Sequence, residues 1–150
     1  MTPARAVIVF PGALSSLQDL GRSGLRRAGV PRAGALQPAW LRLANLLAGN
    51  DEGCAAIEFF GGGLQLKADD APLRVALAGS FAAEIVSADG GRQALASWRS
   101  VTLSPGEQLR CGSHRSRQRY HKAADNPRHL RYCGVTGSHS GFRRCGTRFS

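Results

Sequence analysis

A chain of 150 residues, 43% of them hydrophobic, is long enough for one domain with a single core. Its 20 Lys and Arg against 10 Asp and Glu give a net charge of +10, which ordinarily attracts polyanions. The distribution argues against a basic domain: residues 1–112 carry eleven cations and nine anions, a net +2, and residues 113–150 carry nine and one, a net +8. No apolar run approaches the ~20 residues that span a bilayer. The apolar stretch at the start is too short for a signal peptide, so a cytoplasmic protein is the expectation. Cys54, Cys111, Cys133 and Cys145 are too few and too unevenly spaced for a secreted disulfide scaffold and are expected as reduced thiols.

Arg5 to Phe10 is rich in Val and Ile and is stopped by Pro11-Gly12, which predicts a buried strand ending in a turn. From Ala13 to Ala35 no period emerges and five glycines interrupt between positions 12 and 34, so a long ordered loop is expected, of the kind that carries function. Pro38 to Ala48 predicts a helix. Trp40, Leu43, Ala44 and Leu47 recur at helical spacing and should face a sheet, with Pro38 in the first turn and Gly49 just past the end.

Beyond Gly53 the chain breaks into short apolar pieces: Ala55 to Phe60, Leu64 to Leu66, Leu73 to Leu77, Glu84 to Ser87, Gln93 to Ala96 and Ser100 to Leu103, with a last strand ending near Arg110. Gly- and Asp-rich turns separate them, a texture that predicts a sandwich or barrel. The fold class is therefore mostly β with one early α-helix.

Gln18, Asp19 and Arg22 sit in the glycine-broken loop, where an amide, a carboxylate and a guanidinium suit a small polar substrate, Arg22 gripping a carboxylate or phosphate with its planar fork. The plainer reading has Asp19 capping a turn and pairing with Arg22. Glu58, between Ile57 and Phe59, suits proton transfer. Alternation alone also explains it, with Ile57 and Phe59 on one face and Glu58 with Phe60 on a half-exposed other. Asn45 either bonds to the loop or lies on the wet face of the helix. Gly61-Gly62-Gly63 lacks the Lys-Ser or Lys-Thr of a phosphate-binding P-loop and predicts a tight turn or bulge.

Past Gly112 the pattern changes: all four histidines and eight of the arginines follow, and Leu130 and Val135 are the only branched aliphatics. Neither strand nor helix is expected there, and residues 113–150 are set apart from a 1–112 domain as a basic, disordered tail. Its His and Cys spacing does not form a structural zinc site, and no metal is expected. Interleaved Arg and aromatic residues leave nucleic-acid binding open as a non-enzymatic alternative. Residues of this kind also arise from a shifted reading frame in GC-rich coding DNA.

Pro11 to Arg22, Gly29-Val30-Pro31, Gly34-Ala35-Leu36, Leu43 to Asn50, Ala56-Ile57-Glu58, the glycine run at 61 and Leu77-Ala78-Gly79 form an ordered series. Together they resemble the opening of the family that holds the C-type component of 5-oxoprolinase and the second component of allophanate hydrolase, a biotin-dependent carboxyltransferase type. The resemblance fades after Arg110. Gln37 stands where the family commonly has an aspartate, so an amide that cannot ionise replaces a carboxylate. The resemblance implies an incomplete cyclophilin-like β-barrel and a role beside A-like and B-like partner proteins of the same complex. The implied reaction is ATP-dependent opening of 5-oxoproline to glutamate, or carboxyl transfer from carboxybiotin to a urea-type amide. ATP, and biotin in the second case, are the implied cofactors. Members run to about twice this length, so the chain is expected to be a fragment, inactive alone, in which Asp19 and Glu58 are the catalytic candidates and Gln18, Arg22 and Asn45 the substrate-binding ones.

Overall fold

A computed structural model of the chain describes residues 4–61, 63–112, 130–137 and 148–149, the last two segments by their backbone. Eleven strands and one α-helix appear among them. In chain order these are β1 (Arg5–Phe10), β2 (Leu14–Gln18), α1 (Pro38–Ala48), β3 (Ala56–Phe60), β4 (Gln65–Ala68), β5 (Leu73–Ala78), β6 (Ala82–Val86), β7 (Arg92–Ala96), β8 (Arg99–Leu103), β9 (Gln108–Cys111), β10 (Leu130–Gly137) and β11 (Arg148–Phe149). One sheet has six strands in the order β11-β1-β4-β9-β6-β7, the other five in the order β2-β3-β10-β5-β8. The chain is mostly β with one helix, as its sequence predicts, and the two sheets face one another without closing into a barrel.

Alternation dictates what lies between the sheets. Ala6 of β1, Leu66 of β4 and Leu109 of β9 point inward from the larger sheet, and Phe59, Val75, Leu77 and Leu103 meet them from the smaller one. All are at most 1% exposed, and each large side chain so buried contributes about 1.5–3 kcal/mol. Phe59 meets Phe81 edge to face at 5.4 Å.

A second, smaller cluster lies on the far face of the five-stranded sheet, where Leu41 and Ala44 of α1 pack with Ala35 on Ala56 and Ala78. Strands β3 and β5 are thus covered on both faces, which is why their sequences run apolar nearly without interruption. The helix begins at Pro38 and ends at Gly49, whose φ of 86° is a left-handed cap. Its buried face is not quite the predicted one: Leu41, Ala44, Asn45 and Ala48 are buried, whereas Leu43 is 38% exposed. Trp40 is half-buried and meets Trp98 edge to face at 5.3 Å. Trp98 holds a left-handed φ of 65°, and its N–H donates to Leu77 O at 2.8 Å.

Three strands depart from the expectation. β2 lies inside the predicted loop, because Leu14-Ser15-Ser16-Leu17-Gln18 has no β-branched residue to signal it; it forms the edge beside β3. β10 and the two-residue β11 fall in the region expected to hold no strand. β10 nevertheless pairs antiparallel with both β3 and β5 and occupies the middle of its sheet. Its position joins the two halves of that sheet. The rest of the basic tail, with the expected disorder and the zinc and nucleic-acid motifs, lies mostly outside the described residues. Cys54 is disulfide-bonded, against the expectation of reduced thiols. Cys111 is buried, at 2% exposure. Among the described residues no helix is long and apolar enough to cross a membrane.

Candidate functional site

The loop from Asp19 to Gln37 folds over the outer face of β3, and its neck is a close backbone contact. Arg22 N–H donates to Arg32 O at 2.7 Å, and Ala35 N–H donates to Asp19 O at 2.8 Å. Only glycine fits at two points of this neck. A Cβ on Gly34 would lie 2.5 Å from Gly21 N, and one on Gly21 would lie 2.4 Å from Ala33 O; both residues have φ near +80°, at 84° and 75°.

Asp19 accepts the Gly21 N–H at 2.7 Å. This is the turn-capping role weighed from the sequence, without the expected Arg22 ion pair: the three ion pairs among the described residues join Arg5 to Asp69, Arg42 to Glu52 and Arg92 to Glu84. Arg22, Arg26, Arg27 and Arg32 are all exposed on the loop. Arg32 turns back to the neck, its Nε donating to Leu20 O at 3.4 Å.

Glu58 lies on the face this loop covers. The predicted alternation holds, with Ile57 and Phe59 in the core, but the predicted half-exposure does not: Glu58 is 8% exposed, while Phe60 beyond it is 46% exposed. The physical reason is the overlying loop, whose Leu36 N–H donates to Glu58 Oε2 at 2.9 Å. Across the sheet Glu58 stands opposite Ser16 of β2 and Tyr132 of β10. Gln18, opposite Ala56, shares the face, and its Nε2 donates to Ser16 Oγ at 3.1 Å. The structure therefore brings Gln18, Asp19, Arg22 and Glu58 to one side of the five-stranded sheet, on and under the loop neck.

Asn45 is elsewhere in role. It is fully buried, correcting the wet-face reading, and its Nδ2 donates to Cys54 O at 2.6 Å and Glu52 O at 3.3 Å. Its Oδ1 accepts from Asn50 at 3.2 Å. It ties the end of α1 to the start of β3. A hollow of about 200 Å³ near the β1–β2 corner is lined by Ile8, Leu17, Ile57 and Leu64 among others. Ile57 and Leu17 lie on the core side of the sheet, so the β2–β3 layer separates this apolar hollow from Glu58. Gly61 and Gly63, with φ of 77° and 89°, form the turn that carries the chain from β3 in one sheet to β4 in the other, as predicted; Gly62 lies outside the described residues. No group of three or more His, Cys, Asp or Glu able to hold a metal occurs among the described residues.

The family model of the carboxyltransferase domain, subdomain A and B, matches residues 28–144. The chain belongs to this family. The match runs past Gly112, although the sequence pattern was expected to fade near Arg110. The chain is 47% identical over 53 residues to the C-type component of the 5-oxoprolinase of Haemophilus influenzae, covering 35% of this chain and 17% of that protein. It is 46% identical over 57 residues to urea amidolyase of Saccharomyces cerevisiae, covering 37% of this chain and 3% of that one. The solved structure of TTHA0988 superimposes with a TM-score of 0.69 at 28% identity, over 90% of this chain and 24% of that chain. The matched stretches of this carboxyltransferase-family chain cover less than a quarter of each of these relatives.

Arg32 was not singled out from the sequence. The signal was available in the composition of the loop, which places four arginines and one carboxylate between residues 19 and 35.

Proposed function

We propose that this chain contributes to an enzyme that processes a small cyclic or urea-type amide, as part of a 5-oxoprolinase-like assembly opening 5-oxoproline to glutamate at the expense of ATP. The observation that carries the reading is the match of residues 28–144 to the carboxyltransferase domain, joined to the 47% identity with a 5-oxoprolinase component. A-like and B-like partner proteins of that assembly would supply the rest of the machinery, in the cytoplasm. A carboxyltransferase acting on a urea-type amide, with biotin as carrier, is the second reading, favoured by the identity to urea amidolyase.

Either reaction develops negative charge on an amide oxygen, and preorganised donors stabilise such charge. In this reading Arg22 and Gln18 supply those donors. Asp19 and Glu58 each use an oxygen to hold the loop, through Gly21 and Leu36, so their first contribution is to position those donors; Glu58, beneath the loop, is also the proton-transfer candidate. Asn45 is bound into the α1–β3 connection, and its contribution is to place β3 beneath the loop rather than to touch substrate.

Purifying the chain with its co-expressed A-like and B-like partners and supplying 5-oxoproline and ATP tests the first reading, the expected result being glutamate formed in step with ATP hydrolysis. Carboxylation of urea by carboxybiotin, with no glutamate formed, would transfer the assignment to the second. Neither product from an assembled complex would refute both.

A further inference from the structure

We infer that the neck of the 19–37 loop is an oxyanion clamp with Arg22 and Arg32 as its two jaws, built for a small ligand bearing a carboxylate or phosphate group. The two residues are joined through their backbones, Arg22 N–H to Arg32 O at 2.7 Å, so their guanidinium groups spring from adjacent points on opposite strands of the neck. Both are exposed. Arg32 Nε donates to Leu20 O at 3.4 Å, which leaves its terminal N–H groups, with those of Arg22, for an anion.

The local carboxylates do not do so. Asp19 accepts from Gly21 N–H, Glu58 lies beneath the loop with Leu36 N–H on Oε2, and the three ion pairs among the described residues involve neither arginine. Arg26 and Arg27, in the one-turn helix at Arg26–Ala28, add to the positive field around the loop. Rigidity favours the site as well. Gly21 and Gly34 interlock with no room for a Cβ, and a preformed neck lowers the ordering cost of binding. A guanidinium presents a planar fork that matches carboxylate and phosphate oxygens alike.

The inference deepens the proposed function and rests on it only for the ligand's part in turnover; anion binding itself needs no partner. The test is therefore run on the full chain alone, by titrating acetate in one arm and inorganic phosphate in the other at constant ionic strength, following backbone amide resonances. Saturable shifts centred on Gly21, Arg22 and Arg32 are expected, and the arm that saturates at lower concentration identifies the preferred oxyanion. Arg22→Gln and Arg32→Gln should each weaken binding roughly tenfold or more, as loss of a charge-assisted hydrogen bond implies. Arg99→Gln, on β8, should change nothing. Shifts scattered over the basic tail, equal weakening by Arg99→Gln, or no saturation in either arm would overturn the clamp. The wild-type shift map decides the matter even if a variant unfolds. A clamp that binds in a complex without turnover would sink the proposed function and leave the clamp standing.

Discussion

Glu58 is a carboxylate held at 8% exposure within a β-strand. Its carboxylate is under the loop with Leu36 N–H on it, so Glu58→Ala takes the acceptor from a part-buried N–H, at a cost of about 0.5–1.5 kcal/mol. Glu58→Gln keeps an oxygen for that N–H and should melt within a few degrees of the parent. If Glu58 also moves a proton, Glu58→Gln in the assembled enzyme should lower turnover by roughly 10²–10⁴-fold with the melting temperature nearly unchanged; full turnover would leave it a purely structural residue. Asn45→Ala should cost about 1–3 kcal/mol in chemical denaturation, because it strands the carbonyls of Cys54 and Glu52. Gly34→Ala meets both a left-handed φ and a backbone atom 2.5 Å away. It should speed amide exchange at Arg22 and Ala35 and weaken anion binding together. Alternation made the faces of Ile57, Glu58 and Phe59 legible from sequence; the burial of Glu58 was not, because the loop that covers it has no periodicity.

At the level of elements, the helix and the strands from β3 to β9 were readable because each is bounded by Gly, Pro or Asp and carries its own apolar period. The boundaries of α1 agree with the spacing of its caps. Its buried face, set by contact with Ala56 and Ala78, is shifted toward Leu41, since small residues on the sheet invite the helix to approach through Ala44 and Ala48. β2 and β10 were missed for a different reason. They are held by pairing with β3 and β5 rather than by their own composition, and pairing partners distant in sequence leave no local signal. β10 lies between β3 and β5, so a chain ending at Gly112 would lose the strand joining the two parts of its sheet. Such a chain should lose its cooperative thermal transition, whereas an equally clean transition would show that β10 is dispensable.

For the whole molecule, summed charge was a poor guide and order of motifs a good one. The net charge of +10 pointed toward polyanions, while the sequence of glycine turns, helix and strands pointed to the family that matches residues 28–144. Phe10, Leu14, Leu17 and Phe60 are 46–65% exposed around the β1–β2 corner, beside β2, which is an edge strand among the described residues. Exposed edges and apolar surface invite association. The isolated chain should sediment as oligomers that Leu14→Lys with Leu17→Lys disperses; a monomer at all concentrations would contradict this.

The candidate site ties these scales together, for the loop that seals Glu58 also presents Arg22, and both lie within the carboxyltransferase domain fold. The measurement that tests this most directly is glutamate formation from 5-oxoproline and ATP by the assembled complex, comparing the wild-type chain with Arg22→Gln at equal incorporation into the complex. A rate that depends on this chain and falls at least tenfold with Arg22→Gln, in line with the loss of a charge-assisted contact, is the predicted result. An unchanged rate in an intact complex would contradict the assignment of the loop to the site.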